Sequence, residues 1–485
     1  MAHLCKPQLG ISRSSVLLGT LFKFCEIKYA FHVILKALKM DRYSVKELYK
    51  TIKHMFNFEL KVEQELILKE LMKNRDVTAI LPTGYGKSLC YILPPLLSDV
   101  KSPDVQHVAV VVSPLISLMK DQEQHLTQWG IKCCLSVDLG PKVKDQILDL
   151  ATADVSIIFV TPEALQTSPW RKLFLDRRFQ KRLTVLACDE AHCVSDWGED
   201  FRPEFRMVAE IRSLCDAPLL AVTATATQAV QDGIVKYLHI SENALSIGVV
   251  PDRPNIKLVV KAKATEHYED ELLWVLDGCK EGELIEKTLI FCRSYKSVYN
   301  VWSFLVEGLQ DHWWVDGERK VEMYHASTDD DSKKRILGEF SKPDGRVRVV
   351  VSTIAFGMGI AIPNIRMVIH WGAPKSFLAY WQEIGRAGRD GKPALAVAIL
   401  YPRSLCPRVC DNNLKEMFVS EECIRRGVLL NLLTKDMDAN KVPKASKCEN
   451  KKCIQCICAC CLCCSNCFSR CTCEGKETQT LFKTN

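Results

Sequence analysis

Residues 78–88 read Thr78-Ala79-Ile80-Leu81-Pro82-Thr83-Gly84-Tyr85-Gly86-Lys87-Ser88. A short apolar run ends in a glycine-rich turn, and the turn closes on Lys-Ser before a second apolar stretch, Leu89–Leu97. The chemistry that suits this pattern is phosphate binding. Small residues let backbone N–H groups close around phosphate oxygens, a lysine reaches the terminal phosphates, and a hydroxyl ligates Mg²⁺. Gly84, Gly86, Lys87 and Ser88 fill those roles, with Thr83 and Tyr85 completing the loop. The strict phosphate-loop pattern wants glycine at position 81, where this chain has Leu81. The competing reading is a glycine-rich turn with a chance Lys-Ser.

Working outward, the apolar run before the loop is one of a series. Thr78–Leu81, Val108–Ser113, Val155–Thr161, Leu183–Asp189 and Leu219–Thr223 are rich in Val and Ile and separated by helix-length stretches. Such runs suit strands buried on both faces, and their alternation with helices argues for a parallel sheet covered on both sides. A polar stretch from Lys261 to Lys287 follows, with a helical piece around Glu271–Leu276. The alternation then resumes at Thr288–Cys292, Val347–Ser352, Met367–Trp371 and Leu395–Leu400. The pattern predicts two successive α/β domains, divided near Pro251-Asp252-Arg253-Pro254.

Two further strings complete a candidate site. Asp189-Glu190-Ala191-His192 ends a predicted strand, where carboxylates face the crevice in which doubly wound sheets bind ligands. Asp189 is the expected Mg²⁺ ligand beside Ser88, and Glu190 the residue that positions attacking water. His192 is either a coupling contact or a satisfied core histidine. Gln382-Glu383-Ile384-Gly385-Arg386-Ala387-Gly388-Arg389 carries two arginines three apart, which on a helix share a face and reach one anion together. The bland alternative is a solvated helix.

Together these strings resemble superfamily 2 helicases, and specifically the RecQ group, from about Leu48 to Cys473. The departure at Leu81 suits that family, where Thr-Gly-x-Gly-Lys-Ser is enough. The most specific part is 189–205, whose Cys193–Phe205 portion is similar to the aromatic-rich loop that couples single-stranded DNA to hydrolysis. There Trp197 and Phe201 offer stacking faces and Arg202 a phosphate partner. The resemblance implies an adenine-reading role for Gln64, with Lys61 where the family has Arg, and a nucleotide contact for Gln382. Ser113, Thr161, His192, Thr223, Thr225, His325 and Thr353 fall in motifs that touch the DNA backbone or couple it to ATP. After Gly359-Ile360 the family places Asp or Asn, whereas this chain has Ala361. Many relatives continue into a winged helix and a further helical domain, for which the chain to Asn485 leaves too little length.

Cysteine usage adds a third element. Of 24 cysteines, 11 lie between Cys448 and Cys473. Clustered cysteines in a reducing compartment bind metal more often than they pair. By resemblance to the zinc module of the family, Cys423, Cys461, Cys464 and Cys467 are the expected Zn²⁺ ligands. Cys448, Cys453, Cys456, Cys458, Cys460, Cys463, Cys471 and Cys473 compete with them. The competing reading is a cysteine-rich tail with no fixed metal.

The composition agrees: 47% apolar and 25% charged residues describe a globular protein, and a net charge of +7 is compatible with a polyanionic partner. Ser15–Met40 leans apolar, but Lys23, Glu26, Lys28 and Lys36 make it a poor membrane span or signal segment.

The fold class expected is therefore α/β: two tandem RecA-like P-loop domains, at 46–248 and 249–405. A small helical cysteine-rich zinc-binding module at 406–475 follows, between an extension at 1–45 and a tail at 476–485. The activity implied is an ATP-dependent 3′ to 5′ DNA helicase of repair, recombination or replication. Its cofactors are ATP, Mg²⁺ and structural Zn²⁺, and its partner is single-stranded or forked DNA. The location implied is intracellular, at the chromosome in the nucleus, with the cytoplasm also open. An RNA helicase, a double-strand DNA translocase and a catalytically weakened DNA-binding scaffold remain as alternatives.

Overall fold

The computed structural model describes residues 59–138, 143–195, 203–280, 286–315, 318–357, 362–444 and 459–471. The N-terminal extension, Trp197, Phe201, Arg202, Ala361, Cys448, Cys453, Cys456, Cys458 and Cys473 lie outside the described residues.

The first sheet is built from β1 (Val77–Ile80), β2 (Val108–Val112), β3 (Cys133–Leu135), β4 (Ile157–Val160), β5 (Leu183–Asp189), β6 (Leu219–Thr223) and β7 (Leu245–Gly248). Its order is β3-β4-β2-β5-β6-β1-β7, and every pairing is parallel. Val108–Val112 and Ile157–Val160 are buried at every position, as strands covered on both faces must be. Helix α1 (Val62–Leu71) and helix α2 (Leu89–Lys101) pack on one face. Helix α3 (Gln228–Tyr237) belongs to the other. Because all strands run the same way, the segments after β1, β2, β4, β5 and β6 all open on the carboxyl edge. Only β6 stands between β1 and β5, so Lys87 and Asp189, far apart in sequence, become neighbours.

The second sheet contains β8 (Ile256–Ala262), β9 (Thr288–Cys292), β12 (Val321–Tyr324), β13 (Val349–Ser352), β14 (Met367–Trp371) and β15 (Ala394–Leu400). Its order is β12-β13-β9-β14-β15-β8, again parallel. A small antiparallel pair, β10 (Trp314–Val315) with β11 (Glu318–Arg319), precedes β12. The expected first strand of this unit, Thr288–Cys292, is preceded by β8. That strand pairs with β15 over seven residues, and its alternate residues are only half covered, which dilutes the apolar signal. Within the polar stretch 261–287, α4 (Tyr268–Lys280) is longer than the helical piece the sequence suggested. Helix α5 (Tyr295–Leu309) follows β9, and α6 (Phe377–Ile384) follows β14.

The C-terminal segment carries α7 (Ile424–Asn431), α8 (Ala459–Cys463) and α9 (Ser465–Ser469) and packs on the outer strand β8. Leu258 and Cys464 form a parallel bridge, and Val260 N–H donates to Ser465 Oγ at 3.3 Å. The same segment ties both units together. Arg425 donates to Asp252 Oδ1 at 2.8 Å and to Arg253 O at 2.7 Å. Asp436 accepts from Ser246 Oγ at 2.5 Å and from Gln231 Nε2 on the first unit. Among the described residues no helix is long and apolar enough to cross a membrane.

Candidate active site between the two sheets

The phosphate loop is clamped by α1. Gln64 is buried, and its amide donates to Tyr85 O at 2.9 Å and Gly86 O at 3.0 Å, while its Oε1 accepts from Lys61 N–H at 2.8 Å. Both amide hydrogens are thus turned onto the loop. The adenine-reading role expected of Gln64 needs one of them released. Lys61 Nζ sits 3.6 Å above the Tyr85 ring, and the Tyr85 hydroxyl donates to Glu63. Gly86 has φ +83°, and a Cβ there would lie 2.6 Å from Gln64 Nε2, so both the turn and the clamp require glycine.

Across β6, Asp189 is buried and accepts from the Tyr91 hydroxyl at 3.4 Å and from Glu190 N–H at 3.0 Å. Glu190 takes the left-handed conformation, φ +50°, a strained geometry that concentrates at functional sites. Burial, then the adjacent Glu190, pushes the Asp189 carboxyl up to about 6. Burial acts on Glu190 in the same direction. Lys87, His192, Arg386 and Arg389 together outweigh it and hold Glu190 below the ordinary carboxylate range. Glu190 therefore lies where the charges of both units converge. The donor set of Ser88 and a buried acid short of positive charge fits a divalent cation with oxygen ligands.

The opposing face differs from expectation in one respect. The arginines do not share a helix face, because α6 stops at Ile384 and Arg386 and Arg389 lie in the tight turn that follows. That turn is held by Arg253, which donates to Gly385 O at 3.0 Å, Ala387 O at 2.8 Å and Gly388 O at 2.9 Å. Asn255 adds a bond to Gly388 O at 2.8 Å. Gly388 has φ +54°, and a Cβ there would lie 2.7 Å from Lys392 O. Arg386 is buried, its Nε has no acceptor among the described residues, and burial with repulsion from Arg389 holds it well below the usual guanidinium range. A buried guanidinium, Arg386, and a half-buried one, Arg389, facing a carboxylate are a receptor for added negative charge. Arg253 was missed by sequence reasoning; its one signal was the linker string Pro251-Asp252-Arg253-Pro254.

His192 joins the two faces. Thr223 Oγ1 donates to Thr225 O at 3.1 Å, so its 2.9 Å contact with His192 Nδ1 is one in which the ring nitrogen donates. His192 Nε2 then accepts from Gln382 Nε2, 3.3 Å away on the second unit, with Cys193 Sγ 3.7 Å from the same nitrogen. The loop after the acid strand, the end of β6 and the second unit are thereby linked in one chain.

The remaining expected residues lie along the two carboxyl edges. Ser113 Oγ and Thr225 Oγ1 are buried without a hydrogen-bond partner among the described residues. Thr161 caps the following helical turn, accepting from Ala164 N–H at 3.2 Å. On the second sheet, Thr353 N–H donates to Tyr324 O at 3.3 Å, and the His325 ring lies 5.0 Å from that of Tyr295.

Away from the cleft, the thiols of Cys423, Cys463, Cys464 and Cys467 lie within 4.8 Å of one another. Cys461, expected in this group, is absent from it, and its Sγ lies 3.3 Å from that of Cys471. Residues two apart on a helix point about 200° away from each other, so α8 cannot send Cys461 and Cys463 to one point. Four thiolates about 2.3 Å from a central zinc stand about 3.8 Å apart. The Cys423–Cys463 separation is 3.6 Å. S–H donors on Cys423 and Cys463 hold the Cys464 thiol far below its ordinary range.

Comparison with known proteins agrees with this geometry. Residues 61–233 match the family model described as DEAD/DEAH box helicase, and residues 269–391 match that of the helicase conserved C-terminal domain. The chain is 35% identical over 356 residues to the ATP-dependent DNA helicase hus2/rqh1 of Schizosaccharomyces pombe, covering 72% of this chain and 25% of that one. It is 33% identical over 355 residues to the ATP-dependent DNA helicase RecQ of Haemophilus influenzae, covering 72% and 53%. The chain thus spans about half or less of the length of these relatives. Its fold resembles that of Mycobacterium smegmatis helicase Lhr bound to ssDNA and AMP-PNP, with a TM-score of 0.57, 18% identity, and coverage of 82% of this chain and 51% of that one.

Proposed function

The chain belongs to the RecQ family of superfamily 2 helicases, and on that footing we propose that it hydrolyses ATP between its two sheets to move 3′ to 5′ along single-stranded DNA and part forked or junction duplexes. The observation that carries this reading is the position of Glu190, faced by Lys87 from its own unit and by Arg386 and Arg389 from the other.

Each residue then has a physical task. The loop from Thr83 to Ser88 and Lys87 hold the phosphates, and Glu190 orients the attacking water. Arg386 and Arg389 stabilise charge on the transferring phosphoryl group. Ser88 and Asp189 would hold Mg²⁺, which would supply charge neutralisation there. When product leaves, the two arginines lose their anion and repel one another, which favours opening of the cleft. The Gln382–His192–Thr223 chain breaks with that opening and carries the change to the carboxyl edge, where Ser113, Thr161, Thr225, His325 and Thr353 line the DNA path. Trp197, Phe201 and Arg202 extend that path by resemblance. We assign structural Zn²⁺ to Cys423, Cys463, Cys464 and Cys467, and work at the chromosome, in the nucleus, in repair, recombination or replication.

The test is ATP hydrolysis with and without single-stranded DNA, beside fork unwinding, for wild type and Lys87→Ala. DNA-stimulated hydrolysis and unwinding, both lost in Lys87→Ala, are expected. Hydrolysis that leaves forks intact gives a double-strand translocase instead. DNA binding without turnover gives a scaffold.

A further inference from the structure

Outside the cleft, the edge of the second sheet carries several aromatic rings: Tyr295, Tyr299 and Trp314 are exposed, and Trp302 and Trp313 are half-buried against the core. β12 is that edge, and α5 lies beside it, with Trp302 Nε1 donating to Val321 O at 3.3 Å. On α5, Tyr295, Tyr299 and Trp302 stand at i, i+4 and i+7, which is one helix face. Tyr295 is 54% and Tyr299 56% exposed, and the rings of Tyr299 and Trp302 lie 6.1 Å apart. At the carboxyl end of β12, Tyr295 meets the His325 ring at 5.0 Å. At the other end, Trp313 and Trp314 lie 4.9 Å apart with the Arg319 guanidinium 5.4 Å from each ring. Lys320 N–H donates to Trp313 O at 2.9 Å, which keeps that pair against the strand. Aromatic groups therefore lie at both ends of β12, a strand of four residues, about 13 Å at some 3.3 Å per residue.

Burial removes large aromatic rings from water, so three exposed rings on one sheet edge, each paired with a neighbouring ring, mark a candidate binding surface. Three features select the occupant. The strip is continuous with His325, whose Nδ1 is buried with no partner among the described residues. Exposed cations, Arg293 and Lys296, stand beside Tyr295 at the start of α5. The nearby acids Asp330 and Asp331 are already paired, with Lys333 at 3.3 Å and Lys334 at 3.6 Å. Rings interleaved with cations suit unpaired bases on a phosphate backbone, because every base has a stacking face and no sequence need be read.

We propose that Tyr295, Tyr299, Trp302 and the Trp313–Trp314 pair form a stacking track for single-stranded nucleic acid, which continues the strand path from His325 along β12 and away from the cleft. This rests on the motor reading above.

The experiment measures binding of the full chain to fluorescent oligo-dT of increasing length, by anisotropy at several salt concentrations. Tyr295→Ala/Tyr299→Ala is compared with Tyr295→Phe/Tyr299→Phe, which keeps the rings. The alanine pair is expected to bind long oligonucleotides about tenfold or more weakly. The loss should shrink on oligonucleotides too short to reach beyond the cleft, and the phenylalanine pair should bind as wild type. The salt dependence should stay the same, because no cation is removed. Wild-type affinity in the alanine pair at every length overturns the track and leaves the strip to a protein partner. A wild type that binds no oligonucleotide sinks the motor reading itself, which keeps the two failures distinguishable.

Discussion

Replacing Asp189 by Asn should make the metal-free protein more stable while abolishing hydrolysis. The carboxyl is buried beside Glu190 and is pushed from 3.8 to about 6. Because its pKa rises on folding, the folded state keeps a proton that the unfolded chain has lost. Stability is therefore highest below 3.8, falls through the window from 3.8 to about 6, and stays reduced above it. That difference, at 1.36 kcal/mol per pKa unit, is about 3 kcal/mol at pH 7.5 and roughly half that at pH 5. Asn at this position carries no charge and escapes the penalty. Thermal melts in a chelator should show Asp189→Asn melting roughly 6–12 °C above wild type at pH 7.5, with about half that advantage at pH 5. Adding Mg²⁺ with nucleotide should raise the wild-type midpoint and leave the variant nearly unmoved. A variant no more stable than wild type at pH 7.5, or an advantage that does not shrink by pH 5, would refute the burial argument.

Arg253→Ala removes the three hydrogen bonds that hold residues 385–388, so kcat should fall on the order of 10²-fold with nucleotide KM little changed. Unchanged turnover would show that the turn holds its own shape. Gly388→Ala forces a side chain into a left-handed turn against Lys392 O and should cost about 1–3 kcal/mol, read as a lower melting temperature; an unmoved midpoint contradicts it. Zinc content should fall in Cys463→Ser and Cys464→Ser and stay at one ion per chain in Cys461→Ser. The opposite pattern restores Cys461 to the ligand set.

The parts of the fold legible in the sequence were those whose signal is local. Val108–Val112 reads as a strand because both faces are covered, and the loop from Thr83 to Ser88 announces itself by spacing. Strands with one diluted face escaped. β8 alternates Lys257 and Lys261 with apolar residues, and β12 holds a buried Glu322, compensated by Arg335 at 2.7 Å and Arg319 at 3.7 Å. The arginine pair was visible as a pair, but Gly385 ends the helix one residue before it, so its geometry comes from Arg253, over a hundred residues earlier. Cysteine spacing alone could not choose between Cys461 and Cys463, because the choice is made by the phase of α8. The Asp436 tie to Ser246 joins residues 190 apart and leaves no trace in any local pattern.

The central claim is that both units act on one phosphoryl group, and single-turnover hydrolysis by Arg386→Ala tests it most directly. With saturating ATP and single-stranded DNA, the account predicts a rate lower by about 10³–10⁵ with nucleotide still bound. A rate within a few-fold of wild type would mean that the second unit plays no part in the chemistry.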